Sequence, residues 1–233
     1  MLRGQNCGLL ILVAAAAVIP VHARPAPGTL LARFLAIGDP APTQFRALRH
    51  LEANNDRFDA RASIDVWTEG DRAGAFRYQI VAHDGSEYIR DHVLIATLET
   101  ERKMWASGEP DAAAVTPANY TFEDGGRQSD GLLSLIVKPR RKDVLLVDGS
   151  IFLNPGDGDL VRLEGRLAKS PSFWTRGVRI VRWYRRLAGV RMPVSLESIA
   201  SIRIAGESTF RMTYDYESIN GQRVGTPAVR ARK

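Results

Sequence analysis

Cysteine is almost absent: the 233-residue chain has one, Cys7. It precedes the apolar run Leu9–Ile19, whereas a lipid-modified cysteine follows such a run directly. One cysteine excludes a disulfide framework, and removal of the leader would take the only thiol nucleophile with it. Histidine is scarce as well. Beyond the leader lie His50, His83 and His92, widely separated and without the two-on-one-helix-face spacing of a zinc site. Leu9–Ile19 is shorter than the roughly 20 apolar residues that cross a bilayer, and no stop-transfer segment follows it. Nucleophile motifs are missing too. Gly126-Arg127-Gln128-Ser129-Asp130-Gly131 has the wrong spacing for a strand-to-helix elbow and reads as a turn. Asn154-Pro155-Gly156-Asp157-Gly158-Asp159 lacks the alternating acidic register and distal glutamate of a calcium loop, and reads as a hairpin loop. No catalytic residue, metal or cofactor is expected. A glycosidase-like carboxylate pair is set by the fold, so a secreted hydrolase stays open as an alternative.

What is present begins with Arg3, the run Leu9–Ile19 and small residues in Val21-His22-Ala23, which together predict an export signal over residues 1–23. The expected location is periplasmic, with secretion as the alternative. A linker and short helix over 24–42, one domain over 43–220 and a tail over 221–233 complete the expected organisation. The net charge is +6, one less without Arg3. This surplus favours anionic partners. For an exported chain these are lipid head groups or an acidic envelope protein, not nucleic acid; the alternative is a merely soluble surface. Lys138-Pro139-Arg140-Arg141-Lys142 is the densest run, so Lys138, Arg140, Arg141 and Lys142 are the candidate contacts to an anionic membrane surface, against a solvated turn as the plainer reading.

Along the chain, Thr29 caps a predicted short helix through Ile37. Thr43 caps a second, from Gln44 to about Ala53, with Phe45, Leu48 and Leu51 on one side and Arg46, Arg49 and Glu52 toward water. From Phe58 the period becomes two. Phe58, Ala60, Ala62, Ile64 and Val66 alternate with polar neighbours, Glu69-Gly70-Asp71 marks a turn, and Phe76, Tyr78 and Ile80 continue a hairpin. Arg90–Ala106 reads as a helix carrying Leu94, Ile95, Leu98 and Trp105 near one face; a strand beginning at Val93 is the alternative. After Asn119 the pattern is strand and turn, with Asp148-Gly149 predicted as a two-residue hairpin and Asn154–Gly158 as another turn. Pro171-Ser172-Phe173-Trp174 places two aromatics either in the core or at a cavity mouth. About ten short strands without a βαβ rhythm predict a mainly β (α+β) fold, one strongly curved antiparallel sheet with helices on one side.

Asn119-Tyr120-Thr121-Phe122, Lys138-Pro139-Arg140-Arg141-Lys142-Asp143, Asp148-Gly149-Ser150-Ile151-Phe152-Leu153, Leu160-Val161-Arg162-Leu163-Glu164-Gly165 and Gly189-Val190-Arg191-Met192-Pro193-Val194 follow the leader, helix and hairpin in order. This arrangement resembles the periplasmic outer-membrane lipoprotein-sorting carriers over roughly Phe45 to Asn220. The resemblance implies an incomplete antiparallel β-barrel with two or three helices as a lid, no catalysis, and an apolar cavity that binds lipid or acylated lipoprotein. Phe58, Ile64, Phe76, Tyr78, Ile80, Phe122, Phe210, Met212 and Tyr214 are the expected lining, roofed by Leu94, Leu98 and Trp105. The same residues would also make an ordinary filled core, as an envelope protein-interaction module would have. No position in the sequence matches the carriers' lid-latching arginine.

Overall fold

Side chains alternating between two faces of one sheet build this molecule. The computed structural model describes residues 29–38, 41–71, 73, 75–107, 110–171, 175–203 and 206–229. The predicted export signal and the pair Phe173 and Trp174 lie outside them.

The strands are β1 (Gln44–Asn55), β2 (Ala60–Asp71), β3 (Phe76–Gly85), β4 (Tyr120–Arg127), β5 (Leu133–Pro139), β6 (Val147–Leu153), β7 (Leu160–Leu167), β8 (Thr175–Leu187), β9 (Val190–Ile202), β10 (Gly206–Ile219) and β11 (Gln222–Arg223). They form one antiparallel sheet in the order β3-β2-β1-β10-β9-β8-β7-β6-β5-β4, with β11 on β10. The sheet is strongly curved, as the patterning predicts, and stays open, as the resemblance implies, because β3 and β4 end the order without meeting. Two helical segments lie on the inner face. The first is α1 (Leu30–Ala36), N-capped by the Thr29 hydroxyl, which accepts the Ala32 N–H at 3.1 Å. The second runs over residues 87–107 as a turn, α2 (Glu87–Ile89), a π-helical stretch Arg90–Ile95, and α3 (Ala96–Ser107).

Strand register places the inner side chains in rows. One crosses the sheet as Leu135, Ile151, Leu163, Arg182, Leu196, Met212, Leu51 and Ile64. The next holds Val137, Gly149, Gly165, Ile180, Ser198, Phe210, Ala53 and Ala62. The core divides in two along these rows. One half lies under residues 87–107 and contains Leu51, Ile64, Phe76, Leu94, Leu98 and Met212. The other lies under α1 and contains Phe34, Tyr120, Val137, Ile151, Leu153 and Leu163. Leu196 touches both.

Several local expectations are corrected. The predicted helix from Gln44 to Ala53 is β1: Phe45, Ala47, Arg49, Leu51 and Ala53 face inward, and pairing with β2 and β10 on either side outweighs the helical spacing. Glu69-Gly70-Asp71 continues β2 instead of turning. Gly70 is needed there for clearance, since a Cβ would come within 2.5 Å of the Phe45 ring and 3.1 Å of Trp105. Asp148-Gly149 is not a hairpin either but the middle of β6, where Gly149 lies directly opposite Gly165. Asn154–Gly158 does turn, with the Gly158 N–H donating to the Asn154 carbonyl and Gly158 at φ +79°.

Candidate functional site

Residues 87–107 sit on β1, β2 and β3 through Ile89, Leu94 and Leu98, all buried, and through Trp105. The Trp105 ring lies 5.7 Å from Phe45 and 6.4 Å from Phe76, stacked on the latter with an interplanar angle of 22°. Ser86 begins the segment by accepting the Ile89 N–H on its hydroxyl. The Tyr78 hydroxyl donates to Glu99 at 2.5 Å, adding a polar contact at the edge.

Beneath this helix lies a charge. Arg49, on the inner face of β1, is 2% exposed and donates from Nη1 and Nη2 to the two Glu101 carboxylate oxygens at 2.6 and 3.0 Å. Its guanidinium rests 4.7 Å from the Tyr214 ring centroid and 5.4 Å from that of Phe76. Burial opposes the Arg49 charge, but the Glu101 carboxylate outweighs it, helped by the Tyr214 and Tyr216 oxygens, and the guanidinium stays protonated. Burial in turn pushes the Tyr214 and Tyr216 hydroxyls up, so both remain neutral. A bidentate ion pair therefore ties the helix to the sheet across an otherwise apolar layer.

Between the two helical covers, the inner face of β8, β9 and β10 keeps accessible surface. Arg182, Tyr184, Leu196, Ser198, Ala200, Phe210 and Tyr214 are all partly exposed along this strip, while Met212 and Ile180 beside them are buried. On its far side, α1 is held by Phe34, which is buried and lies 6.4 Å from Phe122, and by Arg33, which donates to the Pro155 carbonyl at 3.2 Å. Below Phe34, Asp159 receives Arg186 and Arg191, both at 2.8 Å. Burial raises the Asp159 carboxyl, but the hydrogen bonds from these arginines overcome it and lower it below the usual range.

Most of the expected lining comes together. Ile64, Phe76, Leu94, Leu98 and Met212 are buried in one core half, with Tyr78, Ile80, Trp105, Phe210 and Tyr214 packed against it; Phe122 belongs to the other half. Phe58 does not join them. It lies on the 3-10 turn Asp56–Phe58 before β2 and is 60% exposed. The basic run also has local structural partners. Arg140 donates to the Pro117 and Tyr120 carbonyls, Arg141 to Asn119 and the Ala112 carbonyl, and Lys138 pairs with Glu123, while Lys142 is exposed.

Arg49 escaped sequence reasoning because it stood on the solvent side of a predicted helix that is a strand, and Glu101 because it suits an exposed position on a helix that does form. The sheet register turns Arg49 inward, and packing of the helix on β1 brings Glu101 to it. A groove of about 870 Å³ is lined by the outward residues Glu52, Ser63, Asp84, Glu197 and Arg211 together with Ala53, Ala62, Ser198 and Phe210 of the inner row. His50 is also outward, its Nδ1 2.6 Å from Asp65.

No protein-family model matches the chain, and no curated protein matches it. Among solved structures it is similar to the crystal structure of a DUF1329 family protein from Desulfovibrio piger ATCC 29098, at 7% identity and a TM-score of 0.35, over 80% of this chain and 88% of that one.

Proposed function

We propose that this protein is a non-enzymatic carrier or receptor of the bacterial envelope, located in the periplasm, that takes the acyl part of a lipid or acylated protein onto the inner face of its open sheet. The observation carrying the proposal is the Arg49–Glu101 pair, which fastens residues 87–107 over an apolar concave surface. Lifting residues 87–107 re-exposes Ile89, Leu94 and Leu98, at about 1.5–3 kcal/mol each. An acyl chain returns about 0.8 kcal/mol per methylene that leaves water, so roughly six to eleven buried methylenes offset the re-exposure of these three side chains. The sequence resemblance to lipoprotein-sorting carriers agrees with this reading.

The test is native mass spectrometry of the exported protein, together with titration by a fluorescent fatty-acid probe. Bound lipid, or probe binding that strengthens when Glu101→Gln loosens the helix, is the expected result. Absence of both lipid and probe binding, in the unaltered protein and in Glu101→Gln, rejects the carrier. A filled-core interaction module is the second reading, favoured by the complete burial of Leu94 and Leu98.

A further inference from the structure

Arg182 is the one charged side chain in the inner row from Leu135 on β5 to Ile64 on β2, which Asp124 and His83 continue onto β4 and β3. Its Nε is buried and has no hydrogen-bond partner, and no carboxylate among the described residues forms an ion pair with it. Its neighbours are the Tyr184 hydroxyl, with which its side chain shares a hydrogen bond, and the Tyr214 hydroxyl. Glu101 lies near enough to be felt, but both of its oxygens are engaged by Arg49. Two guanidiniums therefore share one carboxylate, leaving a net positive charge inside the concave face. A cation enclosed in this way is costly unless an anion reaches it. Arg182 nevertheless keeps partial accessible surface, between the core half under residues 87–107 and the half under α1. The adjoining row holds Gly149, Gly165 and Ser198, with the buried Ile180 between Gly165 and Ser198.

We propose that Arg182 binds the anionic head group of an amphiphile, with the Tyr184 and Tyr214 hydroxyls as auxiliary donors and the alkyl chain running along the apolar inner face. This deepens the carrier reading and rests on it: it selects an anionic lipid over an uncharged acyl group. Carboxylate and phosphate heads share the chemistry, a guanidinium donating to an anionic oxygen.

The experiment measures binding of oleate, oleyl phosphate and oleyl alcohol to the full exported chain by displacement of a fluorescent fatty-acid probe. The unaltered protein is expected to hold one or both anions about tenfold to a hundredfold more tightly than the alcohol. Whichever anion is preferred identifies the head as carboxylate or phosphate. Arg182→Met is expected to bring the anions down to the alcohol, whose own affinity is unchanged, and Arg182→Lys to restore part of the difference. If oleyl alcohol binds as well as both anions in the unaltered protein, the head-group site is overturned while the carrier stands. If none of the three binds, the carrier itself falls. The comparison on unaltered protein decides the matter even if Arg182→Met does not fold.

Discussion

Replacing Glu101 with glutamine keeps the side chain's shape but strips the charge that neutralises Arg49. Arg49 is 2% exposed at its side chain and Glu101 27%, so the two halves of the pair differ sharply in their access to water. After Glu101→Gln the guanidinium remains charged and enclosed, with Arg182 nearby, and the expected loss is about 3 kcal/mol, the lower end for a broken buried pair. After Arg49→Met the volume is largely retained and the Glu101 carboxylate can turn to solvent, so the expected loss is only about 1–2 kcal/mol. The double variant should cost less than the sum of the singles by about 1–2 kcal/mol, because the stranded charge is then gone. Urea unfolding of all four proteins measures this, provided the slope of stability against urea is unchanged. An Arg49→Met loss equal to or above that of Glu101→Gln, or strict additivity, refutes the view that burial of Arg49 makes the pair matter.

Three further outcomes follow from the packing. Gly149→Ala is expected to destabilise by about 1–3 kcal/mol, since its Cβ would fall 2.1 Å from the Glu164 carbonyl oxygen, whereas Gly177→Ala, with nothing within 4 Å, should be near neutral; thermal unfolding compares them. Leu98→Ala should cost about 2–5 kcal/mol in denaturant unfolding and Phe58→Ser less than about 0.5 kcal/mol, because one is fully buried and the other 60% exposed. The lowered Asp159 carboxyl contributes stability that is present above its unfolded value of about 3.9 and is lost as pH falls through its lower native value. Asp159→Asn should therefore lower stability at neutral pH and flatten the acid limb, and an unchanged acid limb counts against the Asp159 arrangement.

Period-two patterning was enough for β2, β3 and β10, where inner residues such as Ile64, Phe76 and Met212 alternate with polar outer ones. It failed at β1 for a physical reason. Leu48 is buried although it lies on the outer register and Arg49 is charged although it lies on the inner, so Phe45, Leu48 and Leu51 imitate a helical stripe. Asp148-Gly149 carries turn chemistry, but its glycine serves the tight approach to Gly165. The inward apolar positions of the sheet were mostly legible because they repeat along each strand. The Arg49–Glu101 pair was not, since its members are 52 residues apart and meet only after β1 and the helix are packed.

The pairing of β1 with β10 has a consequence for the order of assembly. The Asn220 side chain accepts the Thr43 N–H at 2.7 Å across 177 residues of chain, and along the strands between them β1 finds its second neighbour only when residues 206–219 have been made. Bringing such distant segments together is an entropically demanding, slow step. The first three strands must wait during synthesis with one side of β1 unmatched, and the seam that joins the early hairpin to the late meander is the last stitch in the molecule.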